Sequence, residues 1–396
     1  MRKIAAQYVM PGDGSLLLRG MVTLDDAGTV LEITNNHGSL KEREGVEFYN
    51  GVLIPGLVNC HLHLELSHLL GRIPQGGNLA AFIEAVGSFR QEFCSPEVMQ
   101  AADRTLFEGG TVACADISNH ALSAPVKAES AIAYRTFVEL FGTDPAAALA
   151  VVQRGQALCG EFANYNLPVS LTPHAPYSVS PLLWEAILAA HRASPQMHRQ
   201  GISIHLAESD LENEMFLRGT GALARYVQSR PGAFFRVAPG VRSVQAMLPL
   251  LSSFRQVLAV HNTFLNEADL EAILAVRTPF YFVLCPRSNL YMGNPLPPVE
   301  LLQRKGVAIC LGTDSLASNG LLSVLAEMAV IQRHFPSIPL SRLVSWATCN
   351  GARALGLDHR FGMLRPGLQP GVMLLENLDL HQLQLTPETT LRRLVG

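Results

Sequence analysis

GLVNCHLHLELSHLL, residues 56–70, alternates polar and apolar side chains strictly from His61 to Ser67. On an extended chain His61, His63, Glu65 and Ser67 fall on one face, and Leu62, Leu64 and Leu66 on the other. This spacing suits an ordinary amphipathic strand. It also suits two imidazoles gripping one cation, since His is a common ligand for borderline metals. The rest of the chain separates the two readings.

Seven further apolar runs follow: GGTVACADIS (109–118), YRTFVELFG (134–142), LPVSLTPHAP (167–176), GISIHLAES (201–209), QVLAVHNTF (256–264), PFYFVLCPRSN (279–289) and GVAICLGTDS (306–315). Segments between them, such as SPLLWEAILAAHRA (180–193) and NEADLEAILAVR (266–277), carry helical spacing. Eight buried strands alternating with helices predict an α/β protein built on a (β/α)8 TIM barrel. A doubly wound open sheet is the alternative, but its Gly-x-Gly-x-x-Gly turn is absent. The runs end at His61 and His63, Asp116, Glu139, His174, His205, His261, Ser288 and Asp314. In a barrel those ends converge on one mouth, where active sites lie.

The flanks read differently. SLLLRGMVTLDDAGTVLEITN (15–35) and FGMLRPGLQPGVMLLENLDL (361–380) are short β-type runs broken by Gly, Pro and Asp. Residues 1–54 and 360–396 are expected to pair as a small composite β-sandwich domain, with 55–359 as the catalytic barrel. Separate terminal extensions are the alternative.

Composition narrows the class. Among 396 residues, 48% are hydrophobic and 16% charged, enough apolar material for a large core. A net charge of -3, with no basic block, gives no nucleic-acid groove, and no run reaches the roughly 20 apolar residues of a membrane span. Seven scattered cysteines without a CxxC fit a reduced, cytoplasmic setting.

His205 closes GISI and Asp314 closes GVAICLGT, so three His and one Asp from separate strands would form an open N3O site for one metal. None of the four lysines lies in LPVSLTPHAP, where a carboxylated Lys would bridge two ions. Glu208, three residues past His205, suits a proton shuttle or a helix N-terminal carboxylate. His261 alone would pass for a core histidine.

PGLVNCHLHLELS, TPHAPY, HLAES, VHNT, CPRSN and GTDSLASN occur in the order found in the amidohydrolase superfamily. They most resemble its cytosine-deaminase/chlorohydrolase-like branch, which includes adenosylhomocysteine, methylthioadenosine and aminofutalosine deaminases. The resemblance covers essentially the whole chain. It implies His61, His63, His205 and Asp314 as metal ligands, and Glu208, His261 and Asp314 as catalytic groups. His174, Ser288 and Asn289 would contact substrate or shape the mouth. Glu65, directly after HxH, resembles aminofutalosine deaminases, and Arg287 or Arg72 would meet a substrate carboxylate. His68 has no assigned role.

The implied enzyme is a hydrolytic deaminase with one divalent ion per chain, Zn2+ first, with Fe2+ or Mn2+ as alternatives. Its implied substrate is 6-amino-6-deoxyfutalosine, else adenosine, methylthioadenosine or adenosylhomocysteine, with a homodimer as a possible assembly. Guanine, pterin or triazine aminohydrolases and chlorohydrolases share the same metal parts. A non-catalytic binding protein would have no need of so full a set.

Overall fold

The computed structural model describes residues 1–39, 44–89, 91–230, 232–233 and 240–396. From the N-terminus come β1 (Arg2–Val9), β2 (Leu17–Leu18), β3 (Met21–Leu24), β4 (Val30–Thr34) and β5 (Val46–Pro55). Eight strands follow: β6 (Leu57–Leu62), β7 (Thr111–Ser118), β8 (Ala133–Leu140), β9 (Val169–Pro173), β10 (Ile202–Leu206), β11 (Val257–His261), β12 (Phe280–Leu284) and β13 (Ala308–Leu311). At the C-terminal end lie β14 (Val372–Glu376) and β15 (Thr390–Val395).

The eight central strands run parallel, as two four-stranded sheets, β6-β7-β8-β9 and β10-β11-β12-β13. Each is followed by at least one helix, giving a TIM-barrel-like α/β body. β6 and β7 are buried at every position, because helices cover one face and neighbouring strands the other. That is why the runs read as continuous apolar stretches rather than alternating ones.

The two sheets touch at both seams. At one, the His205 amide donates to the His174 carbonyl at 3.0 Å, and the Ser203 amide donates to Thr172 Oγ1 at 2.8 Å. At the other, the Asp314 amide donates to the His61 carbonyl at 3.0 Å, and Asn59 Nδ2 donates to Thr313 Oγ1 at 2.8 Å. Gly312 permits this second approach. A Cβ there would stand 2.9 Å from His61 Cβ, closer than real Cβ contacts come.

The chain ends do pair, in the order β15-β14-β5-β1-β3-β4, with β2 beside β1. They form one seven-stranded hydrogen-bonded sheet, with β14 joined directly onto β5 (Val52 opposite Leu375). Ile4, Val9, Val22, Leu53 and Leu374 give this sheet its own apolar cluster. Between β5 and β6 the chain passes through Gly56, where a Cβ would collide with Val112 Cγ1 at 2.3 Å and the Pro370 carbonyl at 2.6 Å. Only glycine allows that close crossing. Among the described residues no helix is long and apolar enough to cross a membrane, and all seven cysteines are free and buried.

Candidate active site

β6 carries His61 inside its last turn of extended chain, and His63 follows at its end. β10 presents His205, and Asp314 lies just beyond β13. One ligand atom from each of His61, His63 and His205 lies within 4.8 Å of the other two. Asp314 Oδ1 stands 3.5 Å from Nε2 of both His61 and His63. Four side chains separated by up to 253 positions thus aim at one point.

The donors suit a divalent cation. His61 is fully buried, yet neither ring nitrogen has a hydrogen-bond partner in the structure. With Nδ1 unpaired and Nε2 facing only Asp314 Oδ1 at 3.5 Å, the buried ring is left short of partners, which a cation bound there would relieve. Burial holds the His61 pKa well below its usual value, so the ring is neutral, the form that ligates. Asp314 is also buried, which alone would raise its pKa; the histidines around it outweigh this and hold it well below the carboxylate range. Its other oxygen, Oδ2, accepts Ser288 Oγ at 2.7 Å and Ser318 Oγ at 2.6 Å.

Glu208 overhangs this cluster. Its Oε1 is 3.6 Å from His261 Nε2, and burial raises its pKa to about 7. A carboxyl so tuned can hold and release a proton near neutrality. His261 Nδ1 lies 3.3 Å from Asn289 Oδ1, and Asn289 Nδ2 donates to Thr263 Oγ1 at 2.7 Å. Burial lowers the His261 pKa, keeping that ring neutral as well. Three residues here leave ordinary backbone space: Ala207 (φ 51°), His261 (φ 72°) and Asp314 (φ 57°). Non-glycine residues in the left-handed region cluster at functional sites, where surrounding contacts hold them.

The remaining expected site residues divide. His174 sits beside His205, ring centroids 4.9 Å apart, with Nδ1 engaged by Ser178 Oγ at 2.8 Å. Burial lowers its pKa to about 4 despite the neighbouring Glu139 carboxylate. Ser288 and Asn289 are both buried, Ser288 Oγ donating to Asp314 Oδ2 and Asn289 Oδ1 facing His261 Nδ1 at 3.3 Å. Glu65 is no loop carboxylate either. Residues Leu64–Leu69 form a 3-10 helix, and Glu65 in its first turn is buried, accepting the Asn119 amide at 2.9 and 3.0 Å. Arg72 lies away from the cluster, paired at 2.6 Å with exposed Glu92. Arg287 donates through Nε to Asn319 Oδ1 at 3.0 Å.

Several supporting groups carry little or no local signal in the sequence. Asp116 Oδ1 accepts the Leu64 amide at 2.7 Å and so ties down the turn after His63. The other oxygen pairs with Lys127, which also donates to Ser118 Oγ at 2.9 Å and Thr136 Oγ1 at 3.1 Å. Both ions are out of reach of water. Lys127→Met should therefore destabilise the fold by about 3–5 kcal/mol, because Asp116 is left charged, buried and uncompensated. Chemical denaturation reads this directly, and a loss below about 1 kcal/mol would remove the pair from the account.

Glu327 braces the opposite wall. Its carboxyl accepts the Arg287 amide and Asn319 Nδ2, both at 2.9 Å, and Asn319 in turn donates to the Thr313 carbonyl. Burial raises the Glu327 pKa from 4.5 to about 8. Folding then favours the protonated form, so its contribution is complete below pH 4.5 and is lost as pH rises through about 8. Glu327→Gln should flatten the fall in Tm between pH 5 and 8. An unchanged slope in thermal melts would show that another group sets it.

Residues 52–386 match the family model described as "Amidohydrolase family". The chain belongs to the amidohydrolase family. A 5-methylthioadenosine/S-adenosylhomocysteine deaminase of Saccharophagus degradans is 26% identical to this amidohydrolase over 408 residues, covering 96% of the chain and 84% of the relative. The fold matches Helicobacter pylori aminofutalosine deaminase in complex with methylthio-coformycin, at TM-score 0.81 and 22% identity, over 95% of this chain and 92% of that one. It also matches an adenosine deaminase from Xanthomonas campestris with bound zinc, at TM-score 0.71 and 22% identity, over 96% and 86% of the two chains. These likenesses in structure concern the fold of the amidohydrolase. Its chemistry has to be argued from the cluster itself.

Proposed function

We propose that this amidohydrolase is a metal-dependent hydrolytic deaminase of an adenine-type nucleoside, releasing ammonia. The observation that carries the reading is a protonatable Glu208 poised 3.6 Å from His261 at the edge of the His61, His63, His205 and Asp314 cluster. Those four residues would hold one divalent ion, Zn2+ by preference. His205 belongs both to this group and to a second one with Glu139 and His174, so two ions would compete for one imidazole. The bound ion would supply Lewis acidity, lowering the pKa of water from 15.7 to about 7.

The chain's own groups do the rest. Glu208 gives a proton to the ring nitrogen beside the amino-bearing carbon, which makes that carbon electrophilic. His261 and Asp314 orient the attacking water, and Asp314 takes up its proton. Glu208, now a carboxylate, takes the hydroxyl proton from the tetrahedral carbon and delivers it to the leaving amine, and the proton held by Asp314 restores Glu208 to its starting state. One water is consumed; the C–N bond breaks, a C–O bond forms, and ammonia leaves. Donors on β6, β10, β11 and β13 keep these distances because each sits at a strand end rather than on a free loop.

His174, with Nδ1 anchored by Ser178, is the proposed contact to the base or sugar, and Arg287 the proposed partner for a substrate carboxylate. The substrate reading is 6-amino-6-deoxyfutalosine first, then methylthioadenosine, adenosylhomocysteine or adenosine. The names of the similar proteins support this range. The proposed division of the chain is a small terminal-strand domain, 1–54 with 360–396, and a closed (β/α)8 barrel, 55–359. Metal-replete protein offered these four nucleosides, guanine, a pterin and a triazine should release ammonia fastest from an adenine nucleoside. Turnover of guanine, pterin or triazine alone would overturn the substrate class.

A further inference from the structure

Glu212 is fully buried and lies four residues beyond Glu208, in the first turn of the helix Asp210–Arg218. Ser209 caps that helix, its side chain accepting the Leu211 amide at 3.2 Å. A Glu at this third helical position ordinarily reaches back to the amide of the capping residue itself. Here it reaches past Ser209. Oε1 accepts the Ala207 amide at 3.1 Å and Oε2 the Glu208 amide at 3.4 Å.

Those two amides flank an unusual bend. Ala207 is fully buried with φ 51°, a conformation disfavoured for any residue with a Cβ. Its carbonyl accepts the Phe264 amide at 2.8 Å, so the peptide units on both sides of Ala207 are pinned. Without an acceptor for its amide, Ala207 would have no reason to stay left-handed, and the bond from which the Glu208 side chain departs would be re-aimed. Among the described residues, Glu212 makes no hydrogen bond or ion pair with the clustered histidines or Asp314.

We infer that Glu212 is a positioning residue, whose carboxylate holds the left-handed turn at Ala207 and thereby sets the Glu208 carboxyl against His261. The inference rests on the proton-carrier role given to Glu208 above. Glu212→Gln keeps the volume, but its amide nitrogen faces an N–H, so only one of the two backbone amides keeps an acceptor. Turnover should fall about 10–100-fold, with KM and metal content within about twofold of the parent. Ser209→Ala provides the comparison, since it removes the helix cap without touching either amide. It should lower Tm while leaving kcat and KM unchanged.

A crystal structure of the Glu212→Gln variant should show Glu208 Oε1 displaced from its place 3.6 Å from His261 Nε2. An unmoved Glu208, or a loss of turnover that tracks the loss of Tm equally in both variants, would overturn the inference. If the parent protein releases no ammonia from any nucleoside, the deaminase reading fails, and the crystallographic comparison still decides the positioning role. Should Glu212→Gln not fold, Glu212→Asp keeps the charge but shortens the reach, and the same displacement is expected.

Discussion

Glu208→Gln should lose turnover by roughly 10²–10⁴-fold while keeping its metal. Gln matches Glu in size and can still accept a hydrogen bond, but it cannot take or give a proton near neutral pH. The parent carboxyl is well placed for that exchange, because burial raises its pKa to about 7. Metal content should not change, since Glu208 lies outside the group formed by His61, His63 and His205. Single-turnover ammonia release combined with elemental analysis checks both halves. A variant that is fully active would end the proton-carrier role, whereas one that has lost its metal would make Glu208 a ligand instead.

Stripping the metal should abolish ammonia release and lower Tm, and Zn2+ should restore both. The stability effect follows from linkage: an ion present at 1,000 times its Kd adds about 4 kcal/mol to the folded state alone. Locally, the buried His61 Nδ1 lacks a partner, and Asp314 Oδ1 faces Nε2 of both His61 and His63 at 3.5 Å. Elemental analysis of the purified enzyme should give one ion per chain. Two ions per chain would revise the competition proposed for His205, and full turnover after verified chelation would overturn the metal-dependent reading. His61→Ala should reproduce the loss of activity without rescue by Zn2+.

The strand alternation and the residues ending each strand were legible in the sequence. A buried parallel strand has to be apolar along its length, so a polar residue such as His205 or Asp314 stands out where the strand stops. The pairing of the chain ends was legible for the same reason, from β-type runs near both termini. Their arrangement as one sheet was not, because it depends on β14 choosing β5 as its neighbour.

The roles of Ser288, Asn289 and Glu65 were the least legible. Each is a polar residue inside a motif, and the family resemblance suggested contact with substrate or a part in shaping the mouth. In the fold, Ser288 meets Asp314 from 26 positions away, Asn289 meets His261 from 28, and Glu65 meets Asn119 from 54. Asp116 carried a partial signal as one of the polar strand ends, but nothing near it marked Lys127 as its partner.

Strand period and burial act on each residue in place and so marked the strand-end candidates, while the family resemblance gave Glu208 and His261 their proposed parts. Which neighbours hold those side chains was decided by tertiary packing alone. A hydroxyl or amide has no preferred partner until folding removes water, and only then does its nearest buried acceptor become the one it must use. For HLHLELSHLL, alternation put His61 and His63 on one face as candidates, while packing set Glu65 in a buried 3-10 turn against the Asn119 amide.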